Sequence, residues 1–282
     1  MKFDMHCHTK EGSPDSKNTL LETILALQKK GYDGMLIADH NSYKAYRYYK
    51  EHKDKPDFPD FIVLKGIEYD TIDAGHILVI MPTGVKLPIL EIRGLPVSIL
   101  IDIVHHFGGI LGPAHPCGEK YLSLTNTRRG RRTKGLLARF DFLETYNACE
   151  TPDSNHMAAV LAKQLGKPGI GGSDSHKQNG IGLGYTQIDA SVLNETDLIV
   201  SFLSDTAISA GGEQYMYTIK QKIGKMNNIL VYSFWFYNKF LALYRHNKRK
   251  LAFLENQLYS ILPEYITHRT VKSRSYTDIT TK

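Results

Sequence analysis

Short apolar runs that close on a histidine or a carboxylate recur along this chain. Met-Leu-Ile-Ala-Asp-His ends at His40, Phe-Ile-Val-Leu-Lys-Gly-Ile-Glu at Glu68, and Ile-Leu-Gly-Pro-Ala-His at His115. Apolar runs of this length read as buried strands. Strands are expected at residues 2–8, 35–40, 61–69, 76–81, 110–115, 142–146, 169–174 and 184–188. Helical patterns fill residues 18–30, 96–107 and 154–165, and each stops at a glycine (Gly31, Gly108, Gly166), as a left-handed C-terminal cap requires. Strand alternating with helix argues for parallel βα units. In a closed or nearly closed β/α barrel, the C-terminal strand ends form the rim where chemistry is placed.

The polar residues on that rim are of one chemical kind. Side chains two apart on a strand share a face, so His6 and His8 converge, as do Asp174 and His176, while Cys7 and Ser175 point away. Any one of His6, His8, His40, His76, His115 and His176 alone would ordinarily be a satisfied core histidine. Six of the twelve histidines at strand ends, with acids beside them, read as a metal cluster, because imidazole and carboxylate suit Zn²⁺, Mn²⁺ and Fe²⁺. Glu68, closing an apolar run, needs something cationic to meet it. Asp39 alternates to the face opposite His40 and reads as a structural or outer-sphere acid, not a ligand.

The 282 residues can form one large α/β domain or a domain with an appendage. Charge divides the chain. Residues 1–214 carry 23 Lys+Arg against 26 Asp+Glu, and residues 215–282 carry 12 against 3. We therefore expect a domain at 1–214 and a basic, aromatic, mostly helical extension at 215–282. Within the extension, residues 229–244 are apolar but are interrupted by Asn238 and Lys239, too broken for a membrane span of about 20 residues. Their aromatics are expected to pack on the domain, which disfavours peripheral membrane contact. A basic aromatic segment could also hold nucleic acid. Three cysteines without disulfide or finger spacing, and an N-terminus that runs straight into a strand, give the expectation of a cytoplasmic protein.

Five pieces, in order, resemble the polymerase and histidinol phosphatase (PHP) family of metal-dependent phosphoesterases. They are Asp4-Met-His-Cys-His-Thr9, Ala38-Asp-His-Asn41, Gly66-Ile-Glu68 with Gly75-His76, Pro113-Ala-His-Pro116 and Gly172-Ser-Asp-Ser-His176. The resemblance implies a distorted (β/α)7 TIM-like barrel with two to three divalent ions (Mn, Zn or Fe) at its rim. It places His6, His8, Glu68 and Asp174 on a first ion, with Glu68 bridging to a second held by His76 and His115. A third would take His40, His176 and an acid from the loop after the first strand, for which Asp15 is chosen and Glu11 is the alternative.

Such a cluster implies hydrolysis of a phosphate ester by a metal-activated hydroxide, without a covalent enzyme intermediate. Asp174 or His176 could relay a proton to the leaving group. Arg128, Arg129, Arg131 and Arg132 follow the His115 strand and are candidates to grip phosphate, although a solvated basic loop reads the same in sequence. The expected substrate is a small phosphomonoester or nucleotide. The alternative is an exonuclease acting on RNA or DNA, favoured by the basic extension.

Overall fold

The computed structural model describes residues 1–216 except 57, 119–121 and 133–134, together with Ile229, Ser233, Phe236, Tyr237 and Phe240. Nine strands and six α-helices are described: β1 (Lys2–Cys7), α1 (Leu20–Lys29), β2 (Gly34–Ile37), α2 (Lys44–His52), β3 (Ile62–Asp70), β4 (His76–Ile80), α3 (Val97–His106), β5 (Ile110–Pro113), α4 (Arg128–Arg132), β6 (Leu143–Asn147), α5 (Pro152–Leu165), β7 (Gly169–Gly172), β8 (Gly184–Ile188), α6 (Glu195–Leu203) and β9 (Ile208–Gly212). Seven strands form one sheet in the order β5-β4-β3-β2-β1-β8-β9, and β6 pairs with β7.

The expected parallel βα units hold for β1, β2 and β3 and for the β6–β7 pair. They fail elsewhere. β4 runs antiparallel to both β3 and β5, β8 runs antiparallel to β1, and β9, which follows α6, runs antiparallel to β8. Only five residues separate β3 from β4, far fewer than the dozen or so a parallel crossover needs, so β4 must turn back. The β6–β7 pair is tied to the large sheet at both sides. Asp141 N donates to Leu111 O at 2.9 Å beside β5, and Asp174 N donates to His6 O at 2.8 Å beside β1.

Both faces of the central strands are buried, which is why they read as nearly continuous apolar runs. One face gathers Phe3, Met5, Leu36, Leu64, Leu78 and Ile80 with Phe142 and Ile170 of the β6–β7 region. On the other, α1 packs Leu20, Ile24 and Leu27 against Met35, Ile37 and Val63, and α3 packs against Ile77, Val79 and Leu111. A capping box between Thr19 and Glu22 starts α1. The three expected glycine stops all have positive φ: 72° at Gly31, 72° at Gly108 and 61° at Gly166.

Among the described residues no helix is long and apolar enough to cross a membrane. Most of the expected extension, residues 215–282, lies outside the described residues. At the helical positions described there, Ile229, Phe236, Tyr237 and Phe240 are 54–68% exposed. The expected packing of aromatics onto the domain is therefore not found at Phe236, Tyr237 and Phe240.

Candidate metal centre

Strict alternation would put Phe3, Met5 and Cys7 on one face of β1, yet Cys7 packs with the α1 cluster while Phe3 and Met5 lie in the opposite one. A register shift between Asp4 and Cys7 accounts for this. The irregularity turns His6 and His8 onto the Met5 face, a use of the β-bulge that recurs beside functional sites. A second shift lies between Glu144 and Tyr146 on β6. Gly172 lets β7 approach closely, since a Cβ there would collide with His6. Non-glycine residues with positive φ among those described are Asn41, His115 and Asp174. All three sit in or next to the cluster, where strained backbone is held for function.

Glu68 is the centre of the site. Its Oε1 lies 2.8 Å from His76 Nδ1 and 3.2 Å from His115 Nε2. Its Oε2 lies 3.3 Å from His8 Nε2, 3.2 Å from His40 Nδ1 and 3.5 Å from His6 Nε2. Asp174 Oδ1 is 3.2 Å from His8 Nε2 and 3.7 Å from His6 Nε2. Asp15 Oδ2 faces His176 Nε2 at 3.3 Å and His40 Nε2 at 3.5 Å. Glu11 is turned elsewhere, accepting the backbone N–H of Leu20 at the start of α1. Donor atoms thus group as His6, His8 and Glu68; Glu68, His76 and His115; His8, His40 and His176; and His40, Asp70 and His76.

The donor set fits divalent cations. His6 Nδ1 is 2.8 Å from Glu144 Oε1, which leaves the lone pair of Nε2 facing His8 Nε2 at 3.1 Å. His40 Nδ1, His76 Nε2 and both carboxylate oxygens of Asp70 are buried without a hydrogen-bond partner. Acceptors that converge in a buried space, without donors between them, call for positive charge. The titration behaviour carries the same message. Burial opposes protonation of His6 and His40, yet Glu144, Asp174 and Glu68 hold His6 well above the ordinary imidazole range, and Glu68, Asp15 and Asp70 do the same for His40. Burial likewise opposes ionisation of Glu68, and the surrounding His76, His40 and His6 hold it well below the carboxylate range.

Sequence reading therefore named nine residues that the fold brings into one cluster: His6, His8, Asp15, His40, Glu68, His76, His115, Asp174 and His176. It missed Asp70, which ends β3 beside His40 and His76. It also missed Glu144, fully buried, whose second oxygen accepts the backbone N–H of His115 at 2.5 Å, and Asn147, which donates to both Glu144 and Asp174. Glu144 in Phe-Leu-Glu-Thr-Tyr had the signal that picked out Glu68, a carboxylate inside an apolar run. Asp39 is structural as expected, accepting Thr9 N at 2.7 Å and Thr9 Oγ1 at 2.8 Å.

Arg128, Arg129, Arg131 and Arg132, with Gly130, form the short α4. Arg131 donates to Asn126 O at 2.9 Å, and Arg129 Nε lies 3.7 Å from Asp73 in the β3–β4 turn. That turn adjoins His76, whose N–H donates to Leu122 O at 2.9 Å. The segment leading into α4 thus abuts the His76 side of the cluster, with the arginines themselves one step removed. The cluster is most open at Asp15, His176 and Asp174, whose side chains are 49, 30 and 16% exposed.

Residues 152–206, from α5 through α6, match the PHP-associated family model. No curated protein matches the chain. Among solved structures, the lesion-specific endonuclease PfuEndoQ of Pyrococcus furiosus superposes with a TM-score of 0.57 at 17% identity, covering 75% of this chain and 58% of its own. A two-domain protein of Bacteroides vulgatus containing a predicted PHP-like metal-dependent phosphoesterase gives 0.54 at 15%, covering 74% and 64%. PsfC from Pseudomonas syringae gives 0.53 at 12%, covering 88% and 97%. The chain thus spans less than two thirds of the endonuclease and of the two-domain protein, and these likenesses show a shared fold.

Proposed function

We propose that this chain, a PHP-domain protein by its five motifs, its PHP-associated segment and its fold, hydrolyses a phosphate ester with divalent metal ions held by the Glu68 cluster. The observation that carries the reading is the position of Glu68, buried and within 3.5 Å of five histidines. In this reading His6, His8, Glu68 and Asp174 hold one ion, and Glu68, His76 and His115 a second. His40, His176 and Asp15 hold a third. Closely spaced divalent ions lower the pKa of bound water and neutralise phosphoryl charge. Residues 1–214 would be the catalytic domain, with the curled sheet and the β6–β7 pair together making a distorted (β/α)7 barrel, and 215–282 a basic extension.

The chain's own groups supply the rest. Asp174 or His176, on the open side, would relay a proton to the leaving-group oxygen, whichever of them is not engaged as a ligand at that step. Asn147 holds Asp174 by donating to Oδ2 at 3.2 Å. Arg128, Arg129, Arg131 and Arg132 would close on substrate phosphate from the His76 side. Neither Cys7 nor Cys117 fits as a nucleophile. Cys7 is fully buried and burial pushes its thiol well up, and burial raises the Cys117 thiol too, whereas reactive cysteines need a depressed pKa.

The preferred substrate is a small phosphomonoester or nucleotide. A nuclease is the second reading, favoured by the basic composition of residues 215–282 and by the fold shared with a lesion-specific endonuclease. The test is a panel of sugar phosphates, nucleotides and end-labelled oligonucleotides incubated with Mn²⁺. Phosphate release without oligonucleotide shortening is expected. Shortened oligonucleotides would establish the nuclease, and turnover that survives both chelator and Glu68→Gln would overturn the metal-dependent reading.

A further inference from the structure

Asp70 was not among the residues that the motifs point to, and its surroundings are unusual. It closes β3 two residues beyond Glu68, so both carboxylates project to one side of the strand. Across the β3–β4 ladder it pairs directly with His76. It is 4% exposed, and neither carboxylate oxygen has a hydrogen-bond donor. One oxygen lies 3.2 Å from His76 Nε2 and 3.4 Å from His40 Nδ1, two nitrogens that also lack hydrogen-bond partners. The other is 3.5 Å from Arg93 Nη2. A buried carboxylate short of hydrogen-bond donors calls for positive charge; in the metal-free chain His40 and Arg93 face it, and an ion seated between Asp70, His40 and His76 would meet it more directly.

We propose that Asp70 is itself a metal ligand, which with His40 and His76 holds a first-row divalent cation in a mixed nitrogen and oxygen set. The inference rests on the cluster being a metal centre, as proposed above. It goes beyond that reading because His40 and His76 were there assigned to different ions. Asp70 joins them, so that β3 supplies two carboxylates along one row of ions, Glu68 toward His6 and His8 and Asp70 toward His40 and His76. A neutral imidazole ligates through one nitrogen, so His40 would give Nδ1 and His76 Nε2 to the Asp70 ion in place of the ions assigned to them above, with the Nδ1 proton of His76 held by Glu68 Oε1 at 2.8 Å. Two nitrogens and a carboxylate suit Mn²⁺, Fe²⁺ and Zn²⁺.

The test is metal counting, not turnover. The full chain is stripped with chelator and titrated with Mn²⁺, following free Mn²⁺ by electron paramagnetic resonance and bound ions by elemental analysis. Asp70→Asn keeps the shape and removes the charge. It is expected to hold one ion fewer, or to release its weakest ion roughly tenfold more readily, and Asp70→Ala should do the same. Arg93→Gln is expected to hold the wild-type number. The metal-free Asp70→Asn protein should melt lower than wild type, because Asp70 faces His40 and Arg93 there, so the metal count and not the melting temperature is the readout. If Asp70→Asn binds Mn²⁺ as wild type does, Asp70 is not a ligand and only this inference falls. Wild-type chain that takes up no Mn²⁺ would overturn both this inference and the metal-centre reading beneath it.

Discussion

Glu144 makes none of the cluster contacts with Glu68 or Asp174, and yet it sets the chemistry of His6. Its Oε1 takes the Nδ1 proton of His6 at 2.8 Å, and its Oε2 takes the N–H of His115 at 2.5 Å and an Asn147 amide proton at 3.1 Å. Three donors point at one buried carboxylate. Glu144→Gln leaves one oxygen and introduces an NH₂ group. The oxygen is best placed on the side of His115 N and Asn147, where two donors need it, so the NH₂ faces His6 Nδ1. His6 must then accept at Nδ1 and carry its proton on Nε2, the nitrogen that faces His8, Glu68 and Asp174. A histidine held in the wrong tautomer costs about 10–100-fold in metal affinity, or about 1.4–2.8 kcal/mol. Folding should lose about 1.5–3 kcal/mol for the charge-assisted hydrogen bond. Competition with a chelator of known affinity measures the first quantity, and urea unfolding of the metal-free protein the second. A Gln variant that binds Mn²⁺ within about twofold of wild type would refute the tautomer argument, whatever its stability.

Three further outcomes are expected. Asp15→Asn should weaken the ion between His40 and His176, while Glu11→Gln should leave metal content unchanged and lower stability by about 0.3–1 kcal/mol through the start of α1; metal loss in Glu11→Gln instead would exchange the two roles. Stability should depend on pH with opposite sign in the two forms. Burial disfavours the imidazoliums of His6 and His40, but neighbouring carboxylates raise both well above the ordinary range, so their contribution is complete below about pH 6.5 and is lost as pH rises through the raised values. Glu68 and Asp174, held low, contribute above about pH 4 and lose that contribution only in acid. The metal-free protein should therefore melt highest between about pH 4.5 and 6.5 and lower at pH 8, whereas Mn²⁺ should stabilise more as pH rises because its ligands must be deprotonated; a metal-free melting temperature that climbs from pH 6 to 8 would contradict this. Replacing Arg128 and Arg129 with alanine should raise KM for the true substrate with little change in kcat, and an unchanged KM would remove the arginine loop from the site.

Much of this protein is written locally in its sequence. Apolar runs place β2, β3, β4 and β5, because strands buried on both faces need little but Val, Ile, Leu and Met between turn residues. Gly31, Gly108 and Gly166 mark helix ends because a left-handed cap is a property of a few consecutive residues. The histidines of the cluster were legible because they sit at strand ends, His40 and His115 after apolar runs, His76 before one, and His6, His8 and His176 in alternating pairs with a second donor. Asp70 carries no such signal, and the one Glu144 carries does not say what it holds. Asp70 follows a strand and looks like an ordinary surface acid until β4 folds back and sets His76 opposite it. Glu144 sits inside β6, and only the approach of β1 and of the His115 segment gives its two oxygens something to hold.

Tertiary structure also decided strand direction and side-chain aim. Nothing within β4 or β8 distinguishes a parallel from an antiparallel strand, since both satisfy the same apolar pattern, and direction follows from connection length and from which edge is free. The bulge in β1 is of the same kind. Alternation in the sequence correctly puts His6 and His8 together, but the extra residue that turns them to the face of Phe3 and Met5 exists only as a register between β1 and β2. Sequence by itself determined which atoms can bind a cation, because donor chemistry belongs to the residue. The fold decided which of them share one, because that is a matter of distance across strands up to 170 residues apart.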